Sequence, residues 1–505
     1  MLSQAIFTTS EMDNLFSSAA QIKAMLTFES ALAKAEYTEG VIPSAAAAVI
    51  QAVCKSAKIF DNIDVENLEK QTLLAGNPAI PFVKLLIEKV KQRDSEAAKY
   101  VHFGATSQDV LDTAMMLQLK TALIFCLEDL EELERRLSLL ALFHRETLMI
   151  GRTLLQQARP ITFGYKVATW LDGVSRSRER IEQVTKDNLT LQFGGAVGTL
   201  STLGSVALRV KAAMAKELAL NDSGITWHGQ RDRFAEIVTT LGILNGSLGK
   251  IAKDVTLLMQ TEIGEVFEGA AEGKGGSSAM PHKRNPVSSV FMVAIATRTP
   301  ALVATFLSAM VQEHERAAGN WHAEWQVITD LAKLTSANLK HANDLIGHLD
   351  VDKDRMLQNL ELTQGLIFAE DITAALSPKM GKAAAHQFVE KACKAALKEK
   401  IHLKTYLLQN TDILNYLEFG VPEIATKSTS DMPNPSKDVM HYVSTEGVSD
   451  VGLGISDSEK ASKLLDSLFD AKNAIGVCDE FVGNSISNLA LKKMEFDIKN
   501  RKKKS

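Results

Sequence analysis

Between Gly104 and Gly151 the chain carries neither glycine nor proline, and Met116, Leu119, Leu123, Leu127, Leu130, Leu133, Leu137 and Leu140 recur at steps of three and four. That spacing gives a single long amphipathic helix one apolar face, on the order of 50 Å at 1.5 Å per residue. Phe234, Ile237, Leu241, Leu244, Leu248, Ile251, Val255 and Leu258 repeat the pattern without a break. A sustained 3.5-residue repeat is the seam of a bundle or coiled coil. Gly242, Gly246 and Gly249 lie on the same segment and would let another helix approach closely. A third apolar segment runs from Ser288 to about Gln312, interrupted by Pro300, and a fourth from Trp325 to Leu349. Residues 12–100 read as shorter helices, with Pro43 and Pro81 where first turns begin.

These elements predict an all-α subunit of three domains. An N-terminal helical domain takes 1–110, a central long-helix bundle 111–352, and a small helical domain 353–422. The remaining 423–505 form an extension of unknown role. A polar, breaker-rich stretch from Thr426 to Lys437 reads as a linker, and Ser456 with Glu459 has capping-box spacing ahead of a last helix. Helices this long leave apolar stripes that one subunit would struggle to cover, so a homo-oligomer is expected.

Composition narrows the partners. Of 505 residues, 46% are hydrophobic and 23% charged, with a formal net charge of −5, which argues against a dedicated nucleic-acid binder. The basic run Arg501-Lys502-Lys503-Lys504 is a short exception. Cys54, Cys126, Cys393 and Cys478 lie far apart and form no Cys-x-x-Cys pair, so neither a disulfide framework nor a thiolate metal site is supported. No metal or organic cofactor is expected. Met1 to Leu15 lacks the apolar core of a secretory signal, and no uninterrupted apolar run approaches about twenty residues. No membrane span is expected, and the cytoplasm is the expected compartment.

Three polar, glycine-bearing segments interrupt the helical text. His102-Phe103-Gly104-Ala105-Thr106-Ser107-Gln108-Asp109 stands at the start of the first long helix. Its hydroxyls and N–H groups suit a carboxylate or phosphate, or serve as an ordinary N-cap with Asp109 in the first turn. Gly151-Arg152-Thr153-Leu154-Leu155-Gln156-Gln157-Ala158-Arg159-Pro160 offers two arginines and two glutamines, either to an anionic substrate or to a solvated turn. The third segment, 273–286, joins two long helices where a few residues would suffice, and it contains Gly273, Gly275, Gly276, Ser277, Ser278, Lys283 and Arg284. A mobile loop of that composition closes over a ligand more readily than it serves as a bare connector.

The run Gly276-Ser277-Ser278-Ala279-Met280-Pro281-His282-Lys283-Arg284-Asn285-Pro286 resembles the signature of the fumarase/aspartase superfamily. The His-x-Gly-x-Thr-Ser-x-Asp segment and Gly151-Arg152-Thr153 match two other regions of its adenylosuccinate-lyase-like members. The likeness runs from about Phe16 to about Glu423. Within the superfamily it is nearest to the cycloisomerases, through Gly76–Pro81, Trp227–Arg233, Gln312–Arg316 and Trp321–Trp325. The resemblance implies a homotetramer whose sites are each built from three subunits, acting on a small anionic polycarboxylate. It implies that Ser277 exchanges a carbon-bound proton, with Lys283 as its electrostatic support. It places His102, Thr106, Ser107, Gln157, Ser278, Met280, Asn285 and Arg316 around the substrate, with Met280 shaping the loop. Lys274 and Arg284 are expected in solvent.

One departure is informative. The related C–N lyases carry histidine directly after the threonine of the second region and often three residues later; here those places hold Leu154 and Gln157. In that family the first histidine protonates the departing nitrogen. An amine anion is too basic to leave unprotonated, whereas a carboxylate, with a pKa near 4, leaves or attacks already ionised. The substitution therefore points away from a C–N lyase and toward cycloisomerisation, for which the resemblance implies addition of a substrate carboxylate across a conjugated double bond, closing a lactone. Two alternatives stay open. One is an adenylosuccinate-lyase-like C–N lyase on a succinyl substrate that recruits its acid from His228 or His282. The other is a non-catalytic helical scaffold on this fold.

Overall fold

The computed structural model describes residues 2–56, 63–269, 275, 276, 280, 282–410 and 457–502. The expected linker at 426–437, Ser456, and the loop residues Lys274, Ser277 and Ser278 fall outside them. The fold is all-α, with two antiparallel pairs of short strands among the described residues. The chain divides into two compact units, one of Met1–Leu140, Val167–Val351 and Ser485–Ser505, the other of Ala141–Lys166 and Asp352–Asn484.

Long helices dominate the first unit. They are α1 (Ser18–Thr38), α2 (Ser107–Phe143), α3 (Phe163–Asp187, whose first residues belong to the second unit), α4 (Asp232–Leu258), α5 (Val287–Ala309) and α6 (Asn320–Gly347). Every apolar position of the α4 repeat is buried, from Phe234 to Leu258. α4, α5 and α6 pack on one another. A Cβ on Gly242 would come within 2.9 Å of Val303, and one on Gly249 within 2.4 Å of Ala296, so these two glycines set the close approach of α4 and α5. Gly246 faces neither. Between α4 and α6 runs a buried polar ladder, in which Asn245 donates to Thr335 Oγ1 and Asn338 donates to Asn245 Oδ1, both at 2.8 Å. α5 continues through Pro300 without ending.

α3 was not marked by the apolar pattern. Its buried residues Val167, Trp170, Leu171, Val174, Ile181 and Val184 are interleaved with Arg176, Arg178, Glu179, Arg180 and Glu182. Arg178 is held by Glu134 of α2 at 2.9 Å and by Glu182 at 2.6 Å.

Two helices, α2 and α5, are long and apolar enough by composition to cross a membrane, because isolated polar residues break the runs without changing the average. α2 is largely buried, but only 22% of the most apolar stretch of α5 is, and Val290 and Leu307 stand exposed.

The second unit contains the segment 148–162, which is a hairpin of β1 (Leu148–Thr153) and β2 (Gln156–Thr162). Gly151 sits at a register shift, where a Cβ would meet the Arg159 carbonyl at 2.9 Å. Ile150 packs with Leu360, Phe368, Ile372, Leu376 and Leu403. Ala461 and Leu465 of the C-terminal extension join the same core, and Arg145 donates to both carboxylate oxygens of Asp479.

Candidate active site

In the first unit, the turn leading into α2 reverses with His102 and Gly104 in left-handed conformations, at φ +60° and +70°. The fully buried Asp109 ties this turn to its surroundings. Its Oδ2 accepts the N–H of Thr106 at 3.1 Å, closing the helix N-terminus as the acidic half of a capping box. It also accepts the N–H groups of Gly194 and Gly195, each at 2.9 Å, which draws the 189–200 loop against the turn. A side chain at Gly194 would come within 2.3 Å of Thr226, so no other residue fits. The ordinary capping role falls to Asp109, which leaves the Thr106 hydroxyl to accept from the Arg316 guanidinium.

Asp109 Oδ1 is 2.7 Å from His228 Nε2, and His228 is 3% exposed. This histidine is a buried structural partner. One turn along, Asp112 accepts from Arg231 Nη1 and Nη2 at 2.7 and 3.1 Å and from Trp321 Nε1 at 3.0 Å. Glu324 receives the other side of the same guanidinium at 2.7–3.0 Å and the Gln312 amide at 2.7 Å. Burial pushes the Glu324 carboxyl up to about 7 against the pull of Arg231. Arg231 lies 5.3 and 5.0 Å from the Trp227 and Phe234 ring centroids. The Trp227–Arg233, Gln312–Arg316 and Trp321–Trp325 segments are thus tied to α2 through one buried guanidinium and two buried carboxylates, Asp112 and Glu324, and they hold the turn rigid.

His102 Nδ1 lies 2.5 Å from Glu29 Oε1 of α1. Burial lowers the imidazole pKa, but the Glu29 charge and hydrogen bond outweigh it and carry His102 above its ordinary value. Glu29 was missed in the sequence, although a signal exists: Glu29 and Glu36, seven apart, interrupt the apolar face of α1 at positions that are buried.

The glycine-bearing loop is anchored at both feet. The Glu268 carboxylate accepts the Ser288 and Ser289 N–H groups at 3.0 and 2.8 Å, capping α5 from the far side of the loop. Arg284, expected in solvent, is exposed, and its guanidinium lies over the Phe267 ring at 4.8 Å and donates to the Glu268 carbonyl at 2.8 Å. Asn285 N–H donates to the Gly275 carbonyl at 2.9 Å, and Lys283 N–H to that of Met280 at 3.1 Å. The Lys283 side chain and Met280 are exposed. Thus His102, Thr106, Ser107 and Arg316 come together, while Lys283 and Asn285 make no hydrogen bond to them among the described residues. Gln157 belongs to the second unit, where its amide donates to the Asn359 carbonyl at 3.1 Å and its buried Oε1 has no hydrogen-bond partner among the described residues. Leu154 and Leu155 form the tip of the β1–β2 hairpin, at φ +51° and +65°, and are 97% and 77% exposed. Among the described residues no group of three His, Cys, Asp or Glu side chains is placed to hold a metal ion.

A family model described as a lyase matches residues 3–300. The 3-carboxy-cis,cis-muconate cycloisomerase of Pseudomonas aeruginosa is 47% identical over 406 residues, covering 80% of this chain and 88% of that protein. The enzyme of the same name from Acinetobacter baylyi is 45% identical, covering 82% and 91%. The crystal structure of 3-carboxy-cis,cis-muconate lactonizing enzyme from Pseudomonas putida matches with a TM-score of 0.82 at 38% identity, over 96% of this chain and 98% of that one.

Proposed function

The chain belongs to the lyase family, in its fumarase/aspartase superfamily, and from that premise we propose that it closes 3-carboxy-cis,cis-muconate to a carboxymuconolactone. The observation that carries this reading beyond its relatives' names is the second region of the sequence. Where a C–N lyase needs an acid for its departing amine, this chain holds Leu154, at the exposed tip of a hairpin. His228 is no substitute, because it is buried and its Nε2 is engaged by Asp109. A carboxylate nucleophile needs no such acid.

In this mechanism a substrate carboxylate oxygen adds to the far carbon of a conjugated double bond. The displaced electron pair moves onto the carbon beside another carboxylate and is delocalised into it as a dianion. Protonation of that carbon completes the lactone. The proton comes from the Ser277 hydroxyl, and the alkoxide left behind is stabilised by Lys283 and loop N–H groups until solvent reprotonates it. Asn285, Ser278 and Met280 close over the activated carboxylate. His102, Thr106, Ser107 and Arg316 hold a second carboxylate at the start of α2, where N–H groups and the helix dipole favour an anion. Gln157 replaces the second histidine of the C–N lyases with a neutral donor.

The enzyme acts as a homotetramer in which separate segments meet across subunits. The apolar surface that α5 leaves exposed, including Val290 and Leu307, supports this reading, since packing it against another copy takes it out of water. Four unpaired thiols suit a reducing cytoplasm.

The test is to mix the purified protein with 3-carboxy-cis,cis-muconate and follow its conjugated-diene absorbance. Rapid loss that Ser277→Ala reduces at least about a thousandfold supports the reading. A folded tetramer that leaves the diene intact defeats it.

A further inference from the structure

Glu29 is 1% exposed and lies on α1, remote in sequence from every segment read as chemical. Its Oε1 is 2.5 Å from His102 Nδ1, while its Oε2 is buried with no hydrogen-bond partner among the described residues. A buried carboxylate without a cation costs several kcal/mol, and among the described residues His102 is the one ion-pair partner of Glu29. The other acidic groups nearby cannot take that role. Glu36, on the same helix, is fully buried with neither oxygen hydrogen-bonded among the described residues, and burial with the Glu29 charge beside it pushes its carboxyl up to about 9, so it stands neutral. Burial and the Glu29 charge likewise push the Cys54 thiol up and keep it neutral. Asp109 acts on His102 in the same direction as Glu29, but its oxygens are taken by Thr106, Gly194, Gly195 and His228. Arg316 reaches the same turn through the Thr106 hydroxyl.

His102 holds a left-handed backbone conformation, unusual for a residue with a side chain, and its ring keeps 14% of its surface exposed. Nδ1 is committed to Glu29, and Nε2 has no protein partner among the described residues. We infer that Glu29 is a positioning residue that fixes His102 as an imidazolium, so that its free Nε2–H presents a charged donor to a substrate carboxylate. In this arrangement His102 accepts no proton during the reaction: it is a fixed cation beside Thr106 and Arg316, and the charge that supports it is supplied from a different helix. The inference rests on reading His102 as a substrate-binding residue.

The test measures the two separately. Histidine labelled with ¹³C at Cε1 is incorporated into the full-length protein, the His102 signal is assigned with His102→Asn, and its titration is followed by NMR without substrate. In the parent protein His102 titrates above the ordinary histidine value of about 6.5; in Glu29→Gln it falls below it. In steady-state kinetics on 3-carboxy-cis,cis-muconate, Glu29→Gln raises KM about tenfold at pH 8 with kcat within about twofold. KM returns toward the parent value near pH 5.5, where the imidazole is protonated without help. Glu29→Asp restores part of the loss. A merely structural Glu29 would raise KM equally at both pH values. A parent His102 that titrates below about 6.5, or an unchanged titration in Glu29→Gln, overturns the inference, even if Glu29→Gln folds poorly, because the parent measurement stands alone. If the parent protein does not consume the muconate, the functional reading fails while the titration still decides the role of Glu29.

Discussion

Glu36 occupies a core position of α1 with no hydrogen-bond partner for either oxygen among the described residues, and burial pushes its carboxyl up to about 9 from an ordinary value of 4.5. In the unfolded chain the same group ionises near 4.5. Between these limits the native state binds more protons than the unfolded state, so this residue's contribution to stability falls as pH rises from 4.5 to 9. Glu36→Gln removes the titration. The variant should match the parent near pH 4.5 and gain on it progressively toward pH 9, at no more than about 1.4 kcal/mol per pH unit, in denaturant midpoints at fixed protein concentration. Parallel curves would show that Glu36 is not neutral in the fold. At this scale the sequence pointed to the turn at His102 and Thr106 through a family motif, and the structure places Arg316 on the Thr106 hydroxyl. The sequence was opaque where the meaning depends on a partner far along the chain. Glu29 becomes informative only once α1 lies against the turn at His102, and Asp109 reads as a helix cap until Gly194, Gly195 and His228 are seen to converge on it.

Where an apolar stripe is uninterrupted, as along α2 and α4, the helix was read nearly to its ends. α3 escaped because charged residues dilute its stripe, and the ion pairs that make those charges tolerable, Arg178 with Glu134 and Glu182, are invisible before folding. The β1–β2 hairpin escaped for a different reason. Tight hairpins of this kind favour Asn-Gly at the tip, and here Leu154 and Leu155 take the positive φ angles instead. The helix-spacing glycines can be tested as elements. Gly249→Ala places a methyl group 2.4 Å from the Ala296 side chain, and it should destabilise the protein by about 1–3 kcal/mol through overpacking, less the roughly 1 kcal/mol alanine gains in a helix. Gly242→Ala, with 2.9 Å to the end of Val303, should cost less. A Gly249→Ala variant as stable as the parent would mean that α4 and α5 are not held at this spacing.

At the level of the whole molecule, the long apolar helices make an all-α fold, and α5 leaves much of its most apolar stretch exposed. Architecture of this kind was legible because a long seam constrains the fold strongly. The segment after residue 423 was not, since its packing into the core through Ala461 and Leu465 follows no motif. The proposed reaction is an addition: a carboxylate of the substrate adds and a carbon is protonated, with no fragment released. The direct measurement is to run the reaction with 3-carboxy-cis,cis-muconate in deuterium oxide and identify the product by NMR and mass spectrometry. The account predicts a single lactone of unchanged skeleton carrying one carbon-bound deuterium beside a carboxylate. A product without that deuterium, or turnover confined to succinyl compounds that split into two fragments, would contradict it.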